Sequence, residues 1–151
     1  MRITKRTNIA IRVLMFCGAN SDRLVTKAEI AARCNTSESH LAQVINRLAQ
    51  LNYLHTQRGR SGGITLARPM PEIVIGDVFR QLESATPLAE CFADVDNTCP
   101  LIDACRLRVA IADAAEAFYA HLDKITLDAL VCDNDALFAI FMPGTCARAA
   151  E

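Results

Sequence analysis

Residues 26 to 51 contain two short amphipathic segments joined by a tight turn, and this pattern constrains the fold more than any other stretch. Thr26, a residue favoured at helix N-caps, precedes the first segment, KAEIAARC. After the turn Asn35-Thr36-Ser37, in which Ser37 is the expected cap, the apolar residues of the second segment fall on one helical stripe: Leu41, Val44, Ile45, Leu48 and Leu51. Two such helices predict a helix-turn-helix motif.

The second helix of this motif leaves a polar outer face that could read DNA. Its outward side chains, together with its cap, are hydrogen-bonding or charged: Ser37, Ser39, His40, Gln43, Asn46 and Arg47. In a helix-turn-helix protein the second helix enters the major groove, where amide side chains suit contact with adenine. Any pair of short amphipathic helices can imitate this pattern, so the segment that follows is important.

A strand-like pair follows, and its tip is basic. Residues 53 to 56 and 64 to 66 read as strands around QRGRSGG. The tip has no apolar anchor and is expected to project into solvent, with five candidate DNA-contacting residues: Arg58, Gly59, Arg60, Ser61 and Gly62. Two arginines among glycines suit phosphates or a narrow minor groove. An ordinary solvated hairpin is the alternative for the tip alone, but beside the helix pair it predicts the wing of a winged helix.

The charge distribution supports a polyanionic partner for the front half of the chain. The net charge is only −1. Residues 1 to 68, however, carry eleven Lys/Arg against three Asp/Glu, whereas residues 69 to 151 carry five against fourteen. A basic half beside an acidic half indicates that one face meets nucleic acid.

The remaining segments predict further helices. Thr7 is a plausible cap for an almost wholly apolar, buried helix over 8 to 20, and a second helix covers 75 to 83. After Cys105, apolar residues spaced by three and four predict a helix of about twenty residues, roughly 30 Å long. We interpret residues 106 to 122 as a dimerisation helix; packing only within the chain is the alternative. The tail from Asp133 is expected to fray.

Three of the seven cysteines lie on one short polar loop. The spacing is Cys91-x7-Cys99-x5-Cys105, and the loop also carries Asp94 and Asp96. Gathered thiols in a reduced compartment indicate zinc, an iron–sulfur cluster or a redox thiol set. Three ligands are one short of a closed structural zinc site, which favours a cluster with one iron held by a different ligand.

The four other cysteines have lower priority as ligands. Cys17 and Cys34 fall within apolar helical segments, where a free thiol packs as a small hydrophobe. Cys132 and Cys146 lie near or in the expected tail. An odd cysteine count argues against a disulfide scaffold.

Other classes of protein receive little support. The chain lacks a run of about eighteen uncharged apolar residues and a small-residue cleavage site after its basic start, so we expect no membrane span and a cytoplasmic location. It also lacks a paired catalytic motif or a phosphate loop, so we do not expect an enzyme.

The ordered segments TNIAIRVLM, EIAARCNTSESHL, RGRSGG, IGDVFRQLE, C-x7-CPLIDAC and EAFYAHLDKITLDALV resemble the dimeric winged-helix iron–sulfur repressors, the family that contains NsrR, IscR and RirA. The resemblance covers residues 1 to about 132. It implies a mainly α fold with a small β-hairpin wing and a long dimerisation helix, operator DNA as partner, and one cluster per subunit on Cys91, Cys99 and Cys105. A 4Fe-4S cluster is favoured, with 2Fe-2S as the alternative.

The resemblance also bears on the fourth ligand and on the signal. Some members place an Asp where this chain has Asn8, so Asn8 is the candidate position for a fourth ligand, although an amide oxygen binds iron less well than a carboxylate. The helix after Cys105 most resembles the nitric-oxide-sensing NsrR members, and the loop equally resembles the iron-responsive RirA members. A cluster-status regulator like IscR and a zinc or thiol switch without iron remain alternatives.

These observations divide the chain into four expected regions. Residues 1 to 83 form the DNA-binding domain and residues 84 to 105 the cluster-binding loop. Residues 106 to 132 form the dimerisation helix with a short helix after it, and residues 133 to 151 form the tail.

Overall fold

A computed structural model of the chain describes residues 3 to 83, 87 to 93 and 97 to 141. The described part is mainly helical with one two-stranded antiparallel sheet, as the sequence predicts. Its elements, in chain order, are α1 (Lys5–Ala19), α2 (Lys27–Arg33), α3 (Glu38–Gln50), β1 (Leu54–Gln57), β2 (Gly63–Leu66), α4 (Ile75–Glu83), α5 (Arg106–Leu122), α6 (Leu127–Val131) and α7 (Asp135–Phe141). One 3₁₀ turn, Met70–Glu72, precedes α4, and a second, Glu90–Phe92, follows it.

Helix α1 begins three residues earlier than the sequence predicts. Thr4, rather than Thr7, is its N-cap: the backbone N–H of Thr7 donates to Thr4 Oγ1 at 3.3 Å. The hydroxyl of Thr4 also donates to Glu83 Oε1 at 2.8 Å, at the far end of α4. Thr7 is instead fully buried in the first turn. The start is therefore fixed partly by a contact 79 residues away, which a local cap pattern cannot reveal.

Helix α1 is the centre of the core. It packs against α3 and β2 on one side and against α4, α6 and α7 on the other. Its buried residues are Thr7, Ile9, Ala10, Val13, Leu14, Phe16, Cys17 and Gly18. The predictions that this helix is buried on most sides and that Cys17 packs as an apolar residue are both confirmed.

The helix-turn-helix pattern is confirmed, although Ser37, which occupies the N-cap position of α3 as predicted, makes no side-chain cap hydrogen bond. The side chain of Thr26 accepts a bond from the N–H of Glu29, and the Glu29 carboxylate accepts one from the N–H of Thr26, a reciprocal cap that contributes about 1 kcal/mol. Asn35 turns the chain with φ of 48°, a left-handed conformation that asparagine tolerates. Four residues of the predicted α3 stripe are buried, and Leu51 is half-buried at the C-cap.

The C-terminal helices complete the core that the front half begins. The N–H of Ile75 donates to Ile125 O, and the N–H of Leu127 donates to Ile73 O, so the segments entering α4 and α6 lie side by side. Phe141 of α7 contacts Phe16 of α1 edge-on, with ring centroids 5.2 Å apart. The expectation of a frayed segment from Asp133 onward is therefore wrong for Asp135–Phe141, because Phe141 is buried against α1.

Helix α5 packs on the rest of the fold through its C-terminal half. It spans 17 residues, none of them buried, and its C-terminal half packs on α4 through Phe79 and Phe118. The guanidinium of Arg80 donates two bonds to the Asp123 carboxylate, at 2.5 and 2.7 Å, and lies over the Tyr119 ring. This carboxylate occupies the space that a Cβ on residue 76 would need, which explains why Gly76 stands there.

The Arg80–Asp123 pair predicts that part of the protein's stability is lost at low pH. The bonds from Arg80 hold the pKa of Asp123 below its ordinary value of 3.8. The resulting stabilisation is fully present at pH values above the ordinary pKa of Asp123. It is lost as the pH falls through the lower pKa that Asp123 has in the folded state. We expect Asp123→Asn to lower the unfolding temperature at neutral pH. The difference in unfolding temperature between this variant and the wild type should become smaller below pH 4.

Thermal unfolding between pH 2.5 and 7 checks this prediction. Asp113→Asn, on the exposed face of α5, is the matched control and should show no such narrowing. If the difference in unfolding temperature between Asp123→Asn and the wild type stays constant across this range, the stabilising role of the Arg80–Asp123 pair is contradicted.

Candidate DNA interface and cysteine loop

The outer face of α3 presents the side chains that the sequence assigned to it. All six residues are exposed: Ser37, Ser39, His40, Gln43, Asn46 and Arg47. The opposite stripe is buried against α1 and α2, so the rotation of the helix is fixed by packing. Their exposure is thus established, and their contact with DNA remains a prediction.

Local contacts hold the start of α3 in place. Arg12 of α1 donates from its guanidinium to Cys34 O at 3.2 Å, which fixes the turn before the helix. Lys27 of α2 lies 3.0 Å from the Glu38 carboxylate. Because this exposed ion pair neutralises the acid in the first turn of α3, it reduces the repulsion that an approaching phosphate would meet.

The hairpin tip projects from the domain as the sequence predicts. Strands β1 and β2 pair from Leu54 with Leu66 to Gln57 with Gly63. Arg58, Gly59, Arg60 and Ser61 are exposed and Gly62 is half-buried, with the N–H of Gly62 donating to Gly59 O at 3.0 Å. Gly59 has φ of 112°, a conformation that other residues rarely adopt. This glycine is therefore required by the turn itself.

The base of the hairpin is joined to the segment before α2. Val25 and Ile64 exchange two backbone hydrogen bonds, at 3.0 and 2.8 Å, so that Val25 adds a one-residue bridge to the sheet. This bridge has no counterpart in the sequence pattern, which predicts only a turn at Val25. Because Val25 immediately precedes the cap of α2, the hairpin and the two helices form one connected surface.

The structure separates two core cysteines from three on the loop, while Cys132 is exposed and Cys146 lies outside the described residues. Cys17 and Cys34 are buried; burial raises the pKa of the Cys17 thiol to about 12 and that of the Cys34 thiol to about 11. Such thiols stay protonated and are poor metal ligands. Cys91, Cys99 and Cys105 are half-buried and free, on the segment between α4 and α5.

Two contacts hold the ends of this segment. Glu90 Oε1 accepts bonds from the backbone N–H and the hydroxyl of Thr98, at 2.6 and 2.8 Å. These bonds, the hydroxyl first, lower the pKa of the Glu90 carboxyl. Arg108 Nε, in the first turn of α5, donates to Cys91 O at 3.0 Å, and its guanidinium lies 5.6 Å from the Phe92 ring centroid.

No sequence pattern assigned a role to Glu90, Thr98 or Arg108. The bonds between Glu90 and Thr98 span eight residues, and the bond from Arg108 to Cys91 spans seventeen, so neither follows a helical or strand period. Their only sequence signal is their position beside the cysteines, at one residue from Cys91, one from Cys99 and three from Cys105.

The three thiols are of the right kind for an iron–sulfur cluster but are not gathered. Within residues 3–83, 87–93 and 97–141, no group of three or more His, Cys, Asp or Glu side chains is close enough to hold a metal ion. Asp94 and Asp96 lie outside the described residues, and Asn8 is exposed in the first turn of α1. The donor chemistry of three accessible thiols on one loop fits thiolate-bound iron. The assignment of the three cysteines as ligands remains a prediction.

Two helices joined by a left-handed turn, followed by a basic hairpin, with α3 and β2 packed on α1, define a winged-helix DNA-binding protein with an appended cysteine loop and helix. The chain belongs to the Rrf2 family: the family model described as "Iron-dependent Transcriptional regulator" matches residues 3 to 133. It is a DNA-binding transcriptional regulator.

Named relatives agree with this class. The chain is 45% identical to the HTH-type transcriptional regulator NsrR of Geobacillus kaustophilus, over 91% of this chain and 94% of that protein. It is 40% identical to the HTH-type transcriptional repressor NsrR of Streptomyces coelicolor, over 87% of this chain and 88% of that protein. The structure of T. potens IscR superposes with a TM-score of 0.68 at 25% identity, over 90% of this chain and 88% of that one.

The relatives are transcriptional regulators and not enzymes, and operator DNA is the partner that their class implies. Among the described helices, none combines the length and the apolar character needed to cross a membrane.

The wing predicts a salt-dependent contribution to DNA affinity. We expect the double substitution Arg58→Ala and Arg60→Ala to weaken operator binding and to reduce the slope of log affinity against log salt by about one to two units, because two phosphate contacts are lost. Fluorescence anisotropy over a series of salt concentrations measures this. The control, Lys124→Ala, removes an exposed positive charge outside the wing and should leave the slope unchanged.

The recognition face predicts a different effect. Gln43→Ala or Asn46→Ala should relax operator preference by about 1 to 3 kcal/mol while leaving the salt slope nearly intact, because a base contact is lost rather than a phosphate contact. If Gln43→Ala, Asn46→Ala and the double wing variant all bind the operator with unchanged affinity and unchanged sequence preference, the proposed interface is contradicted.

Proposed function

We propose that this regulator is a homodimeric repressor that binds operator DNA while Cys91, Cys99 and Cys105 hold an iron–sulfur cluster, and that nitric oxide relieves repression. The observation that carries the proposal is the division of the cysteines. Three half-buried, free thiols share one loop next to α5, whereas Cys17 and Cys34 are buried in the core.

The donor set and the membership of the chain in a family described as iron-dependent support the proposed cofactor. Three thiolates per subunit suit a 4Fe-4S cluster in which one iron takes another ligand, with 2Fe-2S as the alternative. Asn8 is the candidate for that ligand because it is exposed on α1, although its neutral oxygen is a weaker donor than a carboxylate. When bound, the cluster supplies iron that reacts with nitric oxide.

Dimerisation through residues 106 to 122 is supported by what α5 leaves uncovered. Leu107 and Val109 are 67% and 61% exposed, in the half of α5 that lies away from its contact with α4. Exposed apolar residues on a long helix mark a surface for association. A second copy of the same helix would cover them symmetrically, as the two-fold dimers of this class require.

The connection between loop and helix suggests how DNA affinity would be controlled. Arg108 joins the first turn of α5 to Cys91, so the shape of the loop bears on the position of that end of the helix. A dimer helix sets the spacing of its two winged domains, and half-sites about 34 to 36 Å apart accept only a narrow range of spacings. A loss of about 3 kcal/mol would lower operator affinity roughly a hundredfold.

The first experiment tests the ligands. Cys91→Ala, Cys99→Ala and Cys105→Ala should each abolish iron and sulfide content after anaerobic purification, while Cys17→Ala, Cys34→Ala and Cys146→Ala should keep it. Thermal unfolding verifies that each variant is folded. Iron at the wild-type level in the Cys99 variant would refute the assignment.

The second experiment separates nitric oxide from iron as the signal. Iron-responsive regulation is the second candidate because the family model is described as iron-dependent. We expect the anaerobic holo-protein to release its operator on stoichiometric nitric oxide. Binding that survives nitric oxide but fails on mild chelation would assign iron as the signal. A colourless, zinc-containing preparation would assign the zinc or thiol switch instead.

A further inference from the structure

We propose that Glu90 is a positioning residue that, with Thr98 and Arg108, holds the ends of the cysteine loop so that its three thiols can reach one metal centre. This inference rests on the proposed ligand function of those cysteines. It concerns three residues that touch the loop but are not themselves offered as ligands.

The first step is the closure between Glu90 and Thr98. One carboxylate oxygen of Glu90 accepts both the N–H and the hydroxyl of Thr98. Each of these residues directly precedes a cysteine in the sequence, Cys91 and Cys99. The bonds therefore bring the backbone before the first thiol beside the backbone before the second. Closing a loop in advance removes part of the entropy that metal binding would otherwise have to overcome.

The second step is the link to α5. Arg108 donates to the carbonyl oxygen of Cys91 and lies near the Phe92 ring. Cys105 is the N-cap residue of the same helix, one turn before Arg108. The bond therefore links the end of α5 that carries the third thiol to the backbone of the residue that carries the first.

The third step is what these contacts leave free. The bonds made by Glu90, Thr98 and Arg108 involve carboxylate, hydroxyl, guanidinium and backbone groups, but no sulfur atom. The backbone N–H of Cys99 likewise donates to Asn97 Oδ1. The side chain of Cys105 makes no cap bond in α5. The backbone is thus held while the sulfur atoms remain available.

Charge also argues for positioning rather than ligation by Glu90. A carboxylate near thiolates is repulsive, so its presence is explained by the two bonds that it accepts from Thr98. Those bonds engage the Oε1 atom of Glu90. Arg108, which bonds to the carbonyl oxygen of Cys91, brings a positive charge to the same segment.

The experiment uses Cd²⁺ as a thiolate probe on the metal-free full chain, so it does not depend on cluster assembly. A Cys132→Ser, Cys146→Ser background prevents competition from thiols outside the loop. Affinity is read from the cadmium–thiolate absorbance in competition with a chelator. We expect Glu90→Ala to weaken Cd²⁺ binding about tenfold, the loss typical of residues that orient ligands.

Conservative variants distinguish positioning from a general effect on stability. Glu90→Gln keeps an acceptor oxygen and should recover part of the affinity; Thr98→Ser keeps the hydroxyl and should bind as the wild type does. Glu72→Ala, which removes an exposed acid from the turn before α4, is the matched control and should change nothing. All variants should unfold at the wild-type temperature, because the loop lies outside the core.

Two results would overturn the inference. One is equal Cd²⁺ affinity in Glu90→Ala and wild type; the other is a loss of affinity matched by an equal loss of thermal stability. Wild-type protein that binds Cd²⁺ through the loop but takes up no iron and sulfide anaerobically would instead refute the proposed function, while the role of Glu90 in positioning the thiols would stand.

Discussion

The burial of α1 is the constraint on which the rest of the structure depends. The helix is apolar on nearly every side, so it is stable only when other elements surround it. Helix α3 and strand β2 cover one side, and α4, α6 and α7 cover the other. The recognition helix and the elements flanking the cysteine loop therefore share one support. Since packed interiors transmit small displacements rather than absorbing them, α1 is a physical connection between the two surfaces.

The parts of the fold that the sequence predicted correctly depend on near neighbours in the chain. The Thr26–Glu29 cap, the left-handed Asn35 and the buried stripe of α3 each involve residues a few positions apart. The errors involve distant residues. The start of α1 depends on the Thr4–Glu83 contact, and α7 is ordered by Phe141 packing on Phe16. Neither contact has a period that a sequence pattern could reveal.

The candidate site shows the same division. Helical periodicity correctly assigned the exposed face of α3, because burying the opposite stripe leaves only one rotation of the helix. The separation of loop thiols from core thiols also follows from local pattern, and the raised pKa values of Cys17 and Cys34 agree with it. Distances within the loop depend on side chains such as Glu90 and Arg108, whose partners lie eight and seventeen residues away.

The arrangement of α5 explains how a loop with few apolar contacts could affect a surface far along the chain. Its C-terminal end is fixed on α4 by Phe118 and by the Arg80–Asp123 pair, whereas the end that carries Cys105 is held to the loop by Arg108. Under the proposed function, metal binding would replace the protons of the three thiols as it draws them together, so that metal binding and loop closure would be coupled. Because α5 is fixed at one end and attached to the loop at the other, closure of the loop would change the direction of the helix.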